Sequence, residues 1–252
     1  NSGYLNVTDN DGSGDMMDQA GSWWLCLNSR QQLGWRDSDG DTILDIVDTF
    51  PNTALNPYSP DPTNRATLTY SGDVREIPYP NKNPYGTRQN VTINKITKVE
   101  FRVDGGTWQN ALANDGAFNE SEENFTFTTS ALLSGTHNVE ARGENSVGNV
   151  ETSFASDTVM VDLTFPTTSL SYYSPSHVEG GMTYVSAKTN FNLTASDTFS
   201  GLANTYYRID SGLWITYAGL FNLSGVSDGG HTIYFYSIDN AGNTETASSY
   251  YA

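Results

Sequence analysis

Between Asp37 and Asp48 the chain sets aspartates at positions 1, 3, 5, 9 and 12 of a twelve-residue window: Asp37, Asp39, Asp41, Asp45 and Asp48. Carboxylates at alternate places in a tight turn can point to one side. A calcium ion takes six to eight hard oxygens at about 2.3–2.6 Å, so that side is chemically suited to it. Position 7, Ile43, would add a backbone carbonyl, and Asp48 would close the shell. Ile43, Leu44, Ile46 and Val47 lie between the acids and give the turn apolar anchors. The expectation is a Ca2+ site built from Asp37, Asp39, Asp41, Ile43, Asp45 and Asp48. The plainer reading is a polar turn rich in Asp and Gly.

Two features depart from the helix-loop-helix calcium hand. Position 6 is Thr42 where that loop has glycine, and position 12 is Asp where it has Glu. Thr42 costs strain if the turn needs a positive φ, and the shorter Asp48 reaches less far. No amphipathic helix precedes the run. With Phe50-Pro51 just beyond it, the run resembles the thrombospondin type 3 kind of calcium repeat.

The elements that must hold such a site belong to a chain of 252 residues, a length that suits two or three domains. Hydrophobic residues make up 37% and aromatics 12%, enough for cores, but they come as short alternating runs. No stretch approaches the roughly 18 apolar residues of a membrane span, so no membrane span is expected. No signal peptide opens the chain, and it starts at Asn1 in mid-motif, as a processed or excised piece would. The net charge of −17 reflects only 12 Lys and Arg against 29 Asp and Glu. That shortage of bases argues against nucleic acid and anionic membranes as partners. The single cysteine, Cys26, excludes disulfide-stapled domains; in a secreted protein it could pair with a cysteine upstream. Sequons at Asn6, Asn90, Asn119, Asn124, Asn192 and Asn222 are compatible with a secreted glycoprotein.

Residues 1–36 form a distinct piece. Thr8–Asp15 is a polar loop and a further candidate cation site. Met16-Met17-Asp18 and Trp23-Trp24-Leu25-Cys26-Leu27 follow, and Asn28–Leu33 reads as a short helix ending at Gly34. The order of polar loop, Met-Met-Asp, and a Cys- and Arg-bearing helix ending in Leu-Gly-Trp resembles the end of a secreted zinc metalloprotease domain of the metzincin kind. The resemblance implies that Met16 or Met17 is the methionine turn beneath a zinc site. The His-Glu-x-x-His signature is absent, and His137, His177 and His231 are scattered. Catalytic residues, on this reading, lie in an upstream domain of the same polypeptide, and the site here has none. The alternative is that Met16, Met17, Trp23 and Trp24 merely pack a small cap.

Residues 37–66 join this piece to the rest: the acidic run, then a linker over 49–66 stiffened by Pro51, Pro57, Pro60 and Pro62. Beyond it, alternation in Lys98–Val103 and Thr232–Ile238 marks strands, with turns at Asp104-Gly105-Gly106, Ser134-Gly135 and Asp228-Gly229-Gly230. An internal repeat organises them. Arg102-Val-Asp104-Gly-Gly106-Thr-Trp108 matches Arg208-Ile-Asp210-Ser-Gly212-Leu-Trp214 at an offset of 106 residues. Gly135-Thr-His137 matches Gly229-Gly-His231, and Gly148-Asn149-Val-Glu151 matches Gly242-Asn243-Thr-Glu245, both at 94. The difference is an insertion in the first copy within the acidic segment 114–123.

A repeat of about ninety residues with many short strands predicts a β-sandwich. Ala195-Ser-Asp197-Thr-Phe-Ser200-Gly201, Tyr206–Trp214 and Asp228–Asn243 resemble immunoglobulin-like extracellular repeats of bacteria and archaea, of the OmpL47 type. The first copy lacks the Ser-Asp-x-x-Ser-Gly segment. The expected fold is mainly β: two tandem immunoglobulin-like sandwiches, 67–162 and 163–252, after a small N-terminal helical and loop segment and a calcium joint. Equivalent His137 and His231 suggest turn bonding, and Trp108 and Trp214 core or edge anchors. Asp104 and Asp210 would pair with Arg102 and Arg208 or accept backbone N–H groups. The expected function is a non-catalytic, calcium-binding spacer or binding region of a secreted or cell-surface metalloprotease. Its partners would be the upstream catalytic domain and surface polysaccharide or protein. The alternative is an adhesin or carbohydrate-binding stalk with no enzyme attached.

Overall fold

Strand after strand buries every second side chain, as a sheet with one wet face must. The computed structural model describes residues 34–81 and 89–252. The polar loop expected at 8–15, Met16, Met17, Trp23, Trp24, Cys26 and the helix expected over Asn28–Leu33 lie outside the described residues. Among the described residues the regular structure is all strand, with no helix long and apolar enough to cross a membrane. The chain divides into two compact units: 1–57, 69–128 and 138–157 in one, 58–68, 129–137 and 158–252 in the other.

The first eight strands are β1 (Pro51–Leu55), β2 (Thr69–Glu76), β3 (Ile96–Val103), β4 (Gln109–Asn110), β5 (Leu112–Ala113), β6 (Glu122–Thr128), β7 (Gly135–Asn145) and β8 (Ala155–Val161). They form two sheets, of order β1-β2-β6-β5 and β4-β3-β7-β8. In the first unit, Phe101 of β3 stacks on Phe127 of β6 with ring centroids 4.0 Å apart, joining the two sheets across the core. Val74, Ile96, Val99, Phe125, Val139 and Ala141 fill in around them, all fully buried. The residues read as a proline-rich linker contain β1. Its alternation is only five residues long and opens on Pro51, a position where a strand tolerates proline.

The remaining strands are β9 (Thr167–Tyr172), β10 (Ser176–Glu179), β11 (Met182–Val185), β12 (Phe191–Ser196), β13 (Leu202–Ile209), β14 (Ile215–Thr216), β15 (Thr232–Asp239) and β16 (Ser248–Tyr251). The sheet β14-β13-β15-β16 faces the pair β12-β9, and β10-β11 is a separate hairpin. Phe191, Leu193, Phe221, Leu223, Ile233 and Phe235 make this unit's core. The stack of Tyr207 on Phe221, at 3.9 Å, lies within it. The β10–β11 turn is Gly180-Gly181 at φ 59° and 81°, the positive values that a two-residue hairpin requires. His177 is in β10, paired with Tyr184. Each unit is thus a sandwich of antiparallel sheets, the immunoglobulin-like architecture that the repeat implied.

Candidate cation site and the shared polar framework

The acidic run folds as a closed turn. Ile46 N–H donates to the Gly34 carbonyl at 2.9 Å and Asp45 N–H to that of Arg36 at 2.6 Å, so the two ends of the run meet. Thr42 sits at φ 78°, the strained conformation that a calcium hand gives to glycine. The structure brings Asp37, Asp39 and Asp41 together, one oxygen from each within 4.8 Å of the others. Asp37 accepts Gly40 N–H at 2.6 Å and Thr42 N–H at 3.0 Å. These bonds, that from Gly40 above all, hold its carboxyl below the usual range against the pull of desolvation. A bond from Asp41 N–H draws the Asp39 carboxyl down. Desolvation and the charges of Asp41, Asp48 and Asp37 outweigh it and push Asp39 up. That is the signature of carboxylates crowded together, which a cation relieves.

Asp45 and Asp48 stand outside the cluster. Both oxygens of Asp45 accept from Ser38, N–H at 2.8 Å and hydroxyl at 2.7 Å. Asp48 accepts Asn149 Nδ2 at 2.8 Å. Ile43 is half-buried, and its N–H donates to Asp41 at 2.7 Å.

The polar residues of the repeat hold matching places in their own units. Asp104 and Asp210 both take positive φ, 52° and 51°, and accept the N–H of Asn138 and Thr232 at 2.9 and 2.8 Å. They therefore receive backbone donors rather than the neighbouring arginines. Nε2 of His137 meets the Leu133 carbonyl at 2.9 Å, and that of His231 meets Ser227 at 2.7 Å. Arg102 lies over Trp108 at 4.4 Å and Arg208 over Trp214 at 4.7 Å, both tryptophans at the sheet surface.

Sequence reasoning matched Glu151 with Glu245 but gave them no role. Buried Glu151 accepts Thr53 N–H and hydroxyl, both at 2.5 Å, and Gly143 N–H at 2.6 Å. Glu245 accepts the N–H and hydroxyl of Thr168 and Ser237 N–H at 2.7 Å. The only sequence signal was their shared offset. A second group of acids was also missed: Asp162, Asp197 and Asp239, which only the fold collects.

No protein-family model matches the chain, and no curated protein matches it. Among solved structures it is similar to fibronectin(III)-like modules of Clostridium thermocellum CbhA, at 15% identity and a TM-score of 0.36, over 79% of this chain and 92% of that one. It is also similar to a tetra-tandem repeat in the extending region of a large adhesion protein, at 18% identity and a TM-score of 0.29. That match covers 81% of this chain and 49% of the other. Domains 5–6 of the S-layer protein SbsC match at 10% identity and a TM-score of 0.22, over 79% and 98%. Likenesses of this size carry no argument, and the fold stands on the sheets themselves.

Proposed function

We propose that the chain is a non-catalytic, extracellular spacer or binding region, stiffened by calcium at residues 37–48 and carried by a secreted or cell-surface metalloprotease. The observation that carries the spacer reading is the use made of the repeat's polar residues. His137 and His231, Asp104 and Asp210, Glu151 and Glu245 all bond backbone groups within matching frameworks. Groups spent this way hold a module in shape; a catalytic set leaves groups free to face a substrate. Calcium is supported by the approach of Asp37, Asp39 and Asp41. Asp45, Asp48 and the Ile43 carbonyl complete the shell if Asp45 releases Ser38. The metalloprotease link rests on the resemblance of residues 1–36.

Proteolysis tests the calcium reading at the site itself. Chelator is expected to speed cleavage between Trp35 and Phe50, and the double variant Asp39→Asn, Asp41→Asn to be cleaved quickly with or without calcium. Equal rates for the natural chain in both conditions would sink the reading.

One observation favours the adhesin or carbohydrate-binding stalk. The outer face of β13 and β15 carries half-exposed Tyr206, Tyr234 and Tyr236, with Trp214 edge-on to Tyr236 at 4.7 Å and Tyr206 stacked on it at 5.2 Å. The matching face of β3 and β7 carries Glu100, Glu140 and Arg142 instead. Aromatic faces stack on sugar rings. Affinity electrophoresis through surface polysaccharide should retard the chain and release the Trp214→Ala variant; equal mobility of both would remove this reading.

A further inference from the structure

Asp162 follows β8, Asp197 follows β12 and Asp239 ends β15, and all three belong to the second unit. One carboxylate oxygen of each lies within 4.8 Å of the other two. Asp162 and Asp239 are 0% and 1% exposed. Their bonding partners are neutral. Asp162 accepts Thr164 and Ser200 N–H groups, at 3.0 Å each, and the Thr164 hydroxyl at 2.6 Å. Asp239 accepts Asn243 N–H and Nδ2, both at 2.8 Å. Asp197 Oδ2 accepts Phe199 and Gly201 N–H groups at 3.2 and 2.8 Å. Its other oxygen, Oδ1, has under 1 Å² of accessible surface and no partner among the described residues.

Buried carboxylates normally find a counter-charge, because an unpaired ion in a low-dielectric site is costly. The first unit shows the matching place with a single acid, Glu76, whose Oε2 also lacks a partner among the described residues. Thr53 and Thr168 are equivalent, each bonded to its matched glutamate. Thr53 pairs with Val74, and Thr168 with Ala195. Two residues further along each partner strand stand Glu76 and Asp197, which are therefore equivalent too. Asn145 is the counterpart of Asp239 at the repeat offset of 94. In the first unit Asn145 Nδ2 donates to Glu76 Oε1 at 3.0 Å, an amide against one carboxylate. In the second unit the donor is replaced by Asp239, and Asp162 adds a third acid.

We propose that Asp162, Asp197 and Asp239 form a buried calcium site in the second unit, separate from the exposed run at residues 37–48. The donors are all hard oxygens, with neither imidazole nor thiolate in the group, which selects calcium-type over zinc-type ions. Two oxygens on opposite sides of a calcium ion lie about 4.8 Å apart, twice a typical Ca–O bond, so the cluster is already at coordinating scale. The ion ties together the segments after β8, after β12 and at the end of β15. It also gives Asp197 Oδ1 the partner it lacks.

The test uses the full chain, stripped with chelator and dialysed against about 2 mM calcium, above the range of roughly 10⁻⁴–10⁻³ M in which extracellular modules bind it. Asp197→Asn is the chosen variant. The substitution keeps an acceptor oxygen for Phe199 and Gly201 and turns an amide toward the other two acids, as Asn145 does in the first unit. Atomic emission on the dialysed protein should show one calcium fewer per chain in Asp197→Asn than in the natural protein. The variant Asp39→Asn, Asp41→Asn should keep that calcium, so failure of the exposed site and failure of this one are told apart. Thermal melting gives a second reading. In calcium Asp197→Asn should melt below the natural chain, and in chelator at or above it, since repulsion is relieved. Equal calcium content in Asp197→Asn and the natural chain overturns the proposal. So does a variant that melts lower in chelator and calcium alike, which would mean the acids are held by shared protons or structure alone.

Discussion

A single pair of side chains, Asp210 and His231, shows how the repeat fixes its turns and how pH reaches them. Asp210 Oδ2 lies 2.8 Å from His231 Nδ1. The bond to Asp210 raises the imidazole above its ordinary 6.5, helped by the Ser227 carbonyl. Asp210 is lowered from 3.8, first by Thr232 N–H and then by His231. The histidine's contribution to stability is full below 6.5 and is lost as pH rises through its raised folded value. The aspartate's is present above 3.8 and is lost as pH falls through its lowered folded value. The turn is therefore tightest between those limits. Asp210 is exposed and His231 only partly covered, so solvent screens the pair and the effect is local rather than a control on folding. Proton NMR should find His231 titrating above 6.5 in the natural chain and lower in Asp210→Asn. Identical titrations would contradict the pairing.

At the scale of elements, the first strand of each sandwich is held by a carboxylate from near its last hairpin. Glu245 lies between β15 and β16 and takes both polar groups of Thr168 in β9; Glu151 lies between β7 and β8 and does the same for Thr53 in β1. Glu245→Ala leaves the Thr168 and Ser237 N–H groups without their acceptor and the Thr168 hydroxyl with the Ser237 hydroxyl alone, and Glu151→Ala leaves the Thr53 and Gly143 N–H groups and the Thr53 hydroxyl without theirs. Each loss costs about 1–3 kcal/mol where the group stays buried, so a fall of about 2–4 kcal/mol in urea unfolding is expected after partial rehydration. A change under about 0.5 kcal/mol would show that the glutamate is dispensable. The strands and turns of the repeat were legible because Arg-x-Asp, Gly-x-His and Gly-Asn-x-Glu recur at fixed offsets. β1 was hidden by Pro51 and the prolines that follow it, and the β10–β11 hairpin by a short, mostly exposed pattern of which Val185 packs against the core. The acidic run at 37–48 was legible because its residues are neighbours in sequence. Asp162, Asp197 and Asp239 were not, because dozens of residues separate them and only strand pairing brings them together.

At the scale of the whole molecule, the two copies share a backbone plan and differ in what they place on it. The outer face of β3 and β7 is a charge ladder, with Lys98–Glu144 at 2.5 Å, Arg142–Glu100 at 2.8 Å and Arg102–Glu140 at 2.6 Å. Such half-buried surface pairs add little stability, about 0–1 kcal/mol each, and mainly keep the face polar. The same face in the second copy is aromatic. Divergence therefore falls on outer faces and on the acid cluster, while the glutamate pins are kept in both. Those pins sit where a pull along the chain arrives first. In the second unit, tension enters at β9 and leaves at β16, and Glu245 joins the opening strand to the segment that leads into β16. To peel β9 away, a load must break the bonds to Thr168 as well as the pairing with β12. Each sandwich thus carries a mechanical latch across its own ends. In single-molecule pulling, Glu245→Ala should lower the rupture force of one unit and leave the other unchanged.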